Sequence, residues 1–385
     1  MRRLCSAVLA TGITLALCTT ATQASASVPP RGHDDSGRAV ASLTALNTYL
    51  ATDHGLFREQ YPVQSTDNPY SYEWPFSQAH IAVADLVNSP GGRRFLPQLQ
   101  SADRAHELYW KADGGTTGRP GYASGVLAPY GTGGDFFYDD NEWVGLLDAQ
   151  RYLTSHDTAA LYRAQQIFAL VQSGWDTNAA HADAGGTFWT QATWSSDRNT
   201  VSNMPAAELG LRLFQITHQR RYLDWSLKLY DWTNKYLQRP DGLYNDHVSL
   251  DGTVDSTIWS YNQGVPVGVN TLLYQITHQR KYLDEAQRIA NEALSYYAGT
   301  FDQQPAYFNS IFFKNLLLLE SATGGHRYRD AMQAWADHAW TADRDPATGL
   351  FHFAGSAETQ TLDQAAMVQT FAVLTWSPQQ LRNLY

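Results

Sequence analysis

The segment Phe214-Gln215-Ile216-Thr217-His218-Gln219-Arg220-Arg221-Tyr222-Leu223-Asp224 returns almost unchanged as Tyr274-Gln275-Ile276-Thr277-His278-Gln279-Arg280-Lys281-Tyr282-Leu283-Asp284. An apolar helix end, a polar turn and the basic start of a second helix, repeated at a fixed interval, mark stacked αα-hairpins. Leu153 to Asp157 and Ser321 to Asp330 follow the same plan more loosely. The flanks carry helical periodicity: Ala206, Leu209, Leu213 and Ile216 precede one copy, and Val269, Leu272, Leu273 and Ile276 precede the other. Leu223, Leu227 and Tyr230, then Leu283, Ala286, Ala290, Ala293 and Tyr297, continue it beyond each turn. Comparable segments along the chain predict about twelve helices in about six pairs, with little sheet.

An open stack of hairpins needs polar capping repeats at its ends. The last predicted helix, with Met367, Thr370, Phe371 and Leu374, is as apolar as the middle ones. The expected fold is therefore all-α, a closed (α/α)6 toroid formed by one domain over residues 39–385. Inner helices of such a ring point the same way, so the segments that precede them meet at one mouth. Those segments are Trp74 to Gln78, Tyr138 to Asn141, Asn199 to Asn203, Trp259 to Gly264, Tyr307 to Ser310 and Asp363-Gln364. Acids, amides and aromatic rings around a cavity suit a carbohydrate.

Within this set Asp139 and Asp140 stand out. A lone Asp, Asn or Ser before a helix is an ordinary N-cap, but two neighbouring anions repel and only one can cap. Glycoside hydrolysis needs two carboxyl groups, about 5 to 5.5 Å apart in retaining enzymes and about 6.5 to 9.5 Å apart in inverting ones. Adjacency in sequence favours retention. The helix N-terminus stabilises whichever carboxylate is ionised, and that charge raises the proton affinity of its neighbour. Calcium binding or structural pairing is the alternative use of such a pair. Gly-x-Ser-x-Gly, Walker and His-Glu-x-x-His motifs are absent, and His218 and His278 occupy equivalent repeat turns, which suits structure better than ligation. No metal or cofactor is expected.

The formal net charge is −10 and no basic stripe occurs, which argues against nucleic acid as a partner. Twelve Trp and 22 Tyr serve both core packing and sugar stacking. Arg2-Arg3, an apolar run from Ala7 to Leu17 and Ala24-Ser25-Ala26 read as a secretory signal peptide over residues 1–26. Residues 27–38, with Pro29-Pro30 and Asp34-Asp35, read as a disordered linker. The protein is thus expected to be a secreted, soluble monomer with no membrane span. Both cysteines, Cys5 and Cys18, would leave with the peptide, and the bulky Leu17 before Cys18 disfavours lipid attachment.

Tyr138-Asp139-Asp140-Asn141-Glu142-Trp143 resembles the paired-aspartate motif of glycoside hydrolase family 76, the endo-α-1,6-mannanases. Gly174-Trp175-Asp176, Gly185 to Trp189, Asn199 to Glu208 and Trp259 to Gly264 resemble further blocks of that family in the same order, over about residues 40 to 376. The resemblance implies the toroid and retaining cleavage of internal bonds in α-1,6-linked mannan or manno-oligosaccharide. It implies Asp139 as nucleophile and Asp140 as general acid/base. Trp143, Trp189, Asn199, Asn203, Trp259, Tyr261, Asn262 and Gln263 would line the sugar subsites. Rival readings are a transglycosylase with the same acids, a non-catalytic glycan-binding toroid, and a hydrolase of unsaturated uronides. The acidic charge weighs against the last, for which Arg198 would be the carboxylate-binding cation.

Overall fold

Helices buried on every side through most of their length alternate with helices buried along one stripe. In the computed structural model, which describes residues 34–385, the first kind are α2 (Glu73–Val87), α4 (Tyr138–Ser155), α6 (Thr200–Thr217), α8 (Ser260–Thr277), α10 (Ala306–Thr323) and α12 (Thr361–Leu374). The second kind are α1 (Asp35–Ala45), α3 (Leu96–His106), α5 (Thr158–Ser173), α7 (Arg220–Tyr236), α9 (Arg280–Tyr296) and α11 (Arg327–Ala342). In α9 the buried residues are Leu283, Ala286, Ile289, Ala290 and Ala293, a stripe at helical spacing that faces one neighbour and leaves the rest to water.

Each inner helix packs on the next, and α12 packs on α2, so the ring closes as the predicted (α/α)6 toroid. Five hairpins are consecutive in sequence. The sixth joins α12 to α1, from opposite ends of the described chain. Gly264 lets α8 and α10 meet backbone to backbone, because a Cβ there would lie 2.5 Å from the Phe312 Cα. The repeat turns are superimposable in detail: His156, His218 and His278 take left-handed φ values of 57°, 56° and 57°. Each returns its N–H to the carbonyl four residues back at 2.8 Å, ending its helix. Sheet is limited to short antiparallel pairings, the largest joining Asp197–Asn199, His247–Ser249 and Val254–Asp255.

The expected linker needs correcting at its end. Residues 35–38 are the first turn of α1, where Asp35 accepts from Gln333 Nε2 at 3.2 Å and Arg38 pairs with Asp337. Both anchors lie on α11, far away in sequence, so local composition carried no trace of them. The expected signal peptide and the earlier part of the linker lie outside the described residues.

The far end of the ring is filled by the segment that follows α12. A short helix, α13 (Pro378–Leu381), leads to Leu384 and Tyr385, both buried. Arg212 of α6 donates to the carbonyls of Arg382 and Leu384, and Lys314 Nζ reaches the Tyr385 hydroxyl at 3.1 Å. Lys314 also pairs with Asp85 at 2.6 Å, both side chains being fully enclosed. A site is therefore left to the other end, where the inner helices begin.

At that end a side-chain amide four residues after the N-cap pins the incoming chain. Asn141 Oδ1 accepts from the Tyr122 N–H at 2.7 Å while Nδ2 donates to the Tyr122 and Phe137 carbonyls. Asn203 holds both backbone groups of Thr187 and the Asn199 carbonyl in the same way. Gln263 repeats the device on Tyr244 and Trp259, and Gln364 clamps the Phe351 N–H and the Gly349 and Ser42 carbonyls. Asn203 and Gln263, expected to line sugar subsites, are instead fully buried clamps.

Replacing Gln263 with Leu strands the Tyr244 N–H and C=O, and is expected to cost about 2 kcal/mol or more of stability in urea unfolding. A change below about 0.5 kcal/mol would argue against the clamp. Tyr385→Ala empties the plug and removes the hydroxyl from a buried ammonium. It should cost about 3 kcal/mol or more by the same measurement.

Candidate active site

Phe137 caps α4 in extended conformation and forms an antiparallel bridge with Thr190. The Tyr138 N–H donates to the Trp189 carbonyl at 2.9 Å, and its ring lies so close to Gly174 that a Cβ there would meet it at 2.4 Å. These contacts fix the first turn of α4, and with it Asp139 and Asp140. Asp139 is 8% exposed and Asp140 is half-buried. The Trp189 indole N–H donates to Asp139 Oδ2 at 3.3 Å, and Oδ1 has no hydrogen-bond partner among the described residues.

Burial pushes the Asp139 carboxyl up to about 7, and Asp246 adds to the rise against the hydrogen bonds from Trp189 and the backbone. Asp140 is pushed well above the usual carboxylate range, first by burial and then by the charge of Asp139. The pair is therefore divided: Asp139 ionises first, and its charge keeps the proton on Asp140. Further acids surround them. Glu73, the first residue of α2, and Glu142, one turn further along α4, are fully buried and held well above the usual range by burial and by both aspartates. Asp363 in the first turn of α12 is pushed up to about 7 by burial.

An aromatic cluster shares the mouth with the acids, Tyr261 lying within the field of Asp139 and Asp140. Tyr261 stacks on Phe308 with centroids 3.8 Å apart and planes 5° from parallel. Trp259 packs against Phe308 at 5.4 Å, and Trp74 meets Tyr307 at 5.3 Å. Trp74, Trp259, Tyr307 and Phe308 are each partly exposed, which leaves ring surface for a ligand. Beside the mouth lies a cleft of about 470 Å³ lined by Tyr70, Tyr72, Tyr130 and Gly131–Gly133. Its walls are the chain segments that run into Glu73 and Asp139.

Of the residues expected at the site, Trp189 is brought onto the dyad and Trp259 and Tyr261 belong to the aromatic cluster. Asn199 caps α6, 6% exposed. Asn262 is 1% exposed and acts through Asp246, donating to its Oδ1 at 3.0 Å. Trp143 is a correction: its ring is fully buried, 6.4 Å from Tyr385, because at its position α4 already faces the plug. Sequence reasoning passed over Asp246 and Glu73. Asp246 enters from a strand edge rather than a helix start, and Glu73 is a single acid where the pattern sought was a pair.

Among the described residues one group offers cation ligands, Asp246, His247 and Asp255, whose ligand atoms lie within 4.8 Å of one another. His247 Nδ1 already meets Asp246 Oδ2 at 2.9 Å, an internal pairing that raises the imidazole's proton affinity.

Residues 46–376 match the model of Glycosyl hydrolase family 76. A mannan endo-1,6-alpha-mannosidase of Saccharomyces cerevisiae is 31% identical over 155 residues, covering 36% of this chain and 34% of that protein. A putative mannan endo-1,6-alpha-mannosidase of Schizosaccharomyces pombe is 26% identical over 273 residues, 67% of this chain and 58% of that protein. The matches thus span a third to three fifths of these relatives' length. Among solved structures, a family 76 glycoside hydrolase from a bovine Bacteroides thetaiotaomicron strain superposes with a TM-score of 0.78 at 25% identity, over 89% of this chain and 77% of that one. An inactive Salegentibacter α-1,6-mannanase, with two aspartates changed to asparagine and α-1,6-mannotriose bound, shares the fold at TM-score 0.72 and 19% identity, over 89% and 99% of the chains. The matched residues take in the whole ring from α2 to α12 and the acid pair at its mouth, and the chain belongs to glycosyl hydrolase family 76.

Proposed function

We propose that the protein is a secreted, retaining endo-α-1,6-mannanase that cleaves internal α-1,6-mannosidic bonds of a mannan backbone. The observation that carries the reading is the placement of two adjacent carboxyls on the first turn of α4 at the mouth of the ring, one of them held by the Trp189 indole N–H, with partly exposed aromatic rings at the same mouth. The names of the yeast relatives and the mannotriose-bound neighbour support the choice of mannan. Among the described residues no helix is long and apolar enough to cross a membrane.

In this mechanism Asp139 attacks the anomeric carbon while Asp140 gives its proton to the departing glycosidic oxygen. The C–O bond breaks, a mannosyl ester forms on Asp139, and the reducing-end fragment leaves as an alcohol. Asp140, now a carboxylate, takes a proton from water, whose oxygen attacks the same carbon and frees Asp139. The Trp189 N–H on Oδ2 fixes the nucleophile's orientation. The aromatic cluster offers flat apolar faces to the pyranose rings. The cleft lined by Tyr72 and Tyr130 would hold further sugar units of a chain cut internally.

The uronide rival loses its cation. Arg198 is fully buried, bound to Asp176 at 2.9 Å and to the carbonyls of Ala182 and Ser249, so it has no reach toward a ligand carboxylate.

Asp139→Asn and Asp140→Asn are each expected to lower kcat/KM on linear α-1,6-mannan by about a thousandfold or more. Unchanged cleavage by either variant would remove the catalytic assignment. With azide present, Asp140→Ala should yield the α-mannosyl azide and Asp139→Ala the β anomer, which separates the two roles. Products longer than a defined α-1,6-manno-oligosaccharide would instead mark a transglycosylase. The wild-type pH profile should rise through the ionisation of Asp139, near 7, and fall when the pair loses its second proton. A rate that keeps climbing above both steps would contradict the role of Asp140.

A further inference from the structure

We propose that Glu73, His106, His80 and Asp103 form a hydrogen-bonded proton chain from an outer cleft to the start of α2, in which Glu73 is a positioning residue that keeps a proton within the field of the acid pair. The kinetic part of this proposal rests on the catalytic reading of Asp139 and Asp140; the protonation pattern does not.

The chain is continuous. Glu73 Oε1 lies 2.8 Å from His106 Nε2, the two Nδ1 atoms of His106 and His80 lie 3.0 Å apart, and His80 Nε2 lies 2.9 Å from Asp103 Oδ1. Asp103 is held in turn by Arg151 at 2.6 Å. Glu73 and His80 sit two turns apart on α2, and Asp103 and His106 one turn apart on α3, so two helix faces build the whole path. Phe76 and Tyr122 pack their rings at 5.0 and 4.3 Å from His106. Glu73, His106 and His80 are 0%, 2% and 3% exposed. Asp103, by contrast, is part-exposed in a cleft of about 310 Å³ on the outside of the ring, which it lines with His80, His106 and Arg151.

Donor and acceptor bookkeeping narrows where the protons sit. Three contacts hold three protons. Asp103, paired with Arg151, is a carboxylate and accepts, so His80 donates from Nε2. A neutral His80 accepts at Nδ1, so His106 donates from Nδ1. Its Nε2 is then an acceptor, and the proton of the last contact belongs to Glu73 Oε1. The competing arrangements keep the same three protons but place an imidazolium on His106 or His80 and a carboxylate on Glu73. The surroundings disfavour both changes. Burial lowers the proton affinity of His106, with His80, Arg163 of α5 and Arg151 of α4 adding to the effect; on His80 burial, aided by Arg151, outweighs the hydrogen bond and charge of Asp103, which act the other way. Burial, then Asp140 and Asp139, resist ionisation of Glu73. The remaining titratable neighbours are Tyr109, whose hydroxyl donates to the Ser71 carbonyl, and Tyr122, which is flanked by Asp148, Arg163 and Glu107; Glu59 faces Tyr109.

A proton leaves by the same path. The Glu73 O–H bond breaks as the His106 Nε2–H bond forms, His106 passes its Nδ1 proton to His80, and His80 passes its Nε2 proton to Asp103 and on to water in the outer cleft. The reverse sequence refills Glu73. Its neutral state spares the acid pair a second negative charge, and the chain supplies that state from the outer cleft.

The test is nitrogen-15 NMR of the histidines in the full-length protein near neutral pH, with infrared detection of protonated carboxyl groups. His80 is expected as the Nε2–H tautomer and His106 as the Nδ1–H tautomer. Glu73→Gln should keep both, since its amide also donates to His106, and should remove one buried carboxylic-acid C=O band. A protonated His106 Nε2, or an infrared band set unchanged by Glu73→Gln, would overturn the proposal. His106→Gln, whose carbonyl accepts the Glu73 proton, should keep that band at a shifted frequency, and its loss would also count against the chain. In kinetics, Glu73→Gln should leave the pH of the alkaline limb unmoved whatever it does to kcat/KM, because one neutral group replaces another. A limb moved to lower pH would show that Glu73 carries charge in the native enzyme. Failure of the NMR pattern leaves the dyad standing, and failure of the dyad variants leaves the NMR pattern standing.

Discussion

Closure of the inner ring is the constraint on which everything else depends. Once α12 packs on α2, all six inner helices run in one direction, and their first turns, with unsatisfied N–H groups and positive dipole ends, share one mouth. Because the plug of Leu384 and Tyr385 occupies the other end, the polar work of the molecule is concentrated there. Acids gather where the helix ends can stabilise anions, and the walls that shape the mouth also strip them of water.

That desolvation carries a stability cost with a definite sign. Glu73, Asp139, Asp140 and Glu142 all have folded-state proton affinities above those of an unfolded chain, Asp139 reaching about 7. Their contribution to stability is fully present below the ordinary carboxylate range and is lost as pH rises through those raised values. His80 and His106 act in the opposite sense. Their lowered affinities favour the fold above the ordinary imidazole range, and this is lost as pH falls. Carboxyls retained where burial penalises their charge are what a proton-transferring site requires.

The architecture was legible because it repeats: the two near-identical turns, with His218 and His278 in the same left-handed conformation, encode the hairpin locally. The acid pair was legible because two adjacent anions have no simple capping role. Other features are products of tertiary contact. The α1–α12 pairing joins segments with no shared pattern, and residues 35–38 look like linker until Gln333 and Asp337 are beside them. Trp143 reads as a sugar platform from its place in the motif that resembles the family, whereas the depth of its position along α4 places it against Tyr385. The path from Glu73 through two histidines is invisible in sequence, since its members alternate between α2 and α3.

The amides at the mouth show why residue chemistry, and not polarity alone, decides function here. Pinning both the N–H and the C=O of one residue needs a donor and an acceptor on the same side chain, which an amide has and a carboxylate lacks. At Asn141, two positions beyond Asp139, a carboxylate would also add charge to the acid pair and drive its proton affinities higher still. Asn141, Asn203 and Gln263 therefore hold the loops without perturbing the acids. Through the Asn203 grip on Thr187, the loop bearing Trp189 is fixed where its indole N–H meets Asp139. Amides that resemble ligand-binding groups in sequence hold in place the loops around the acid pair.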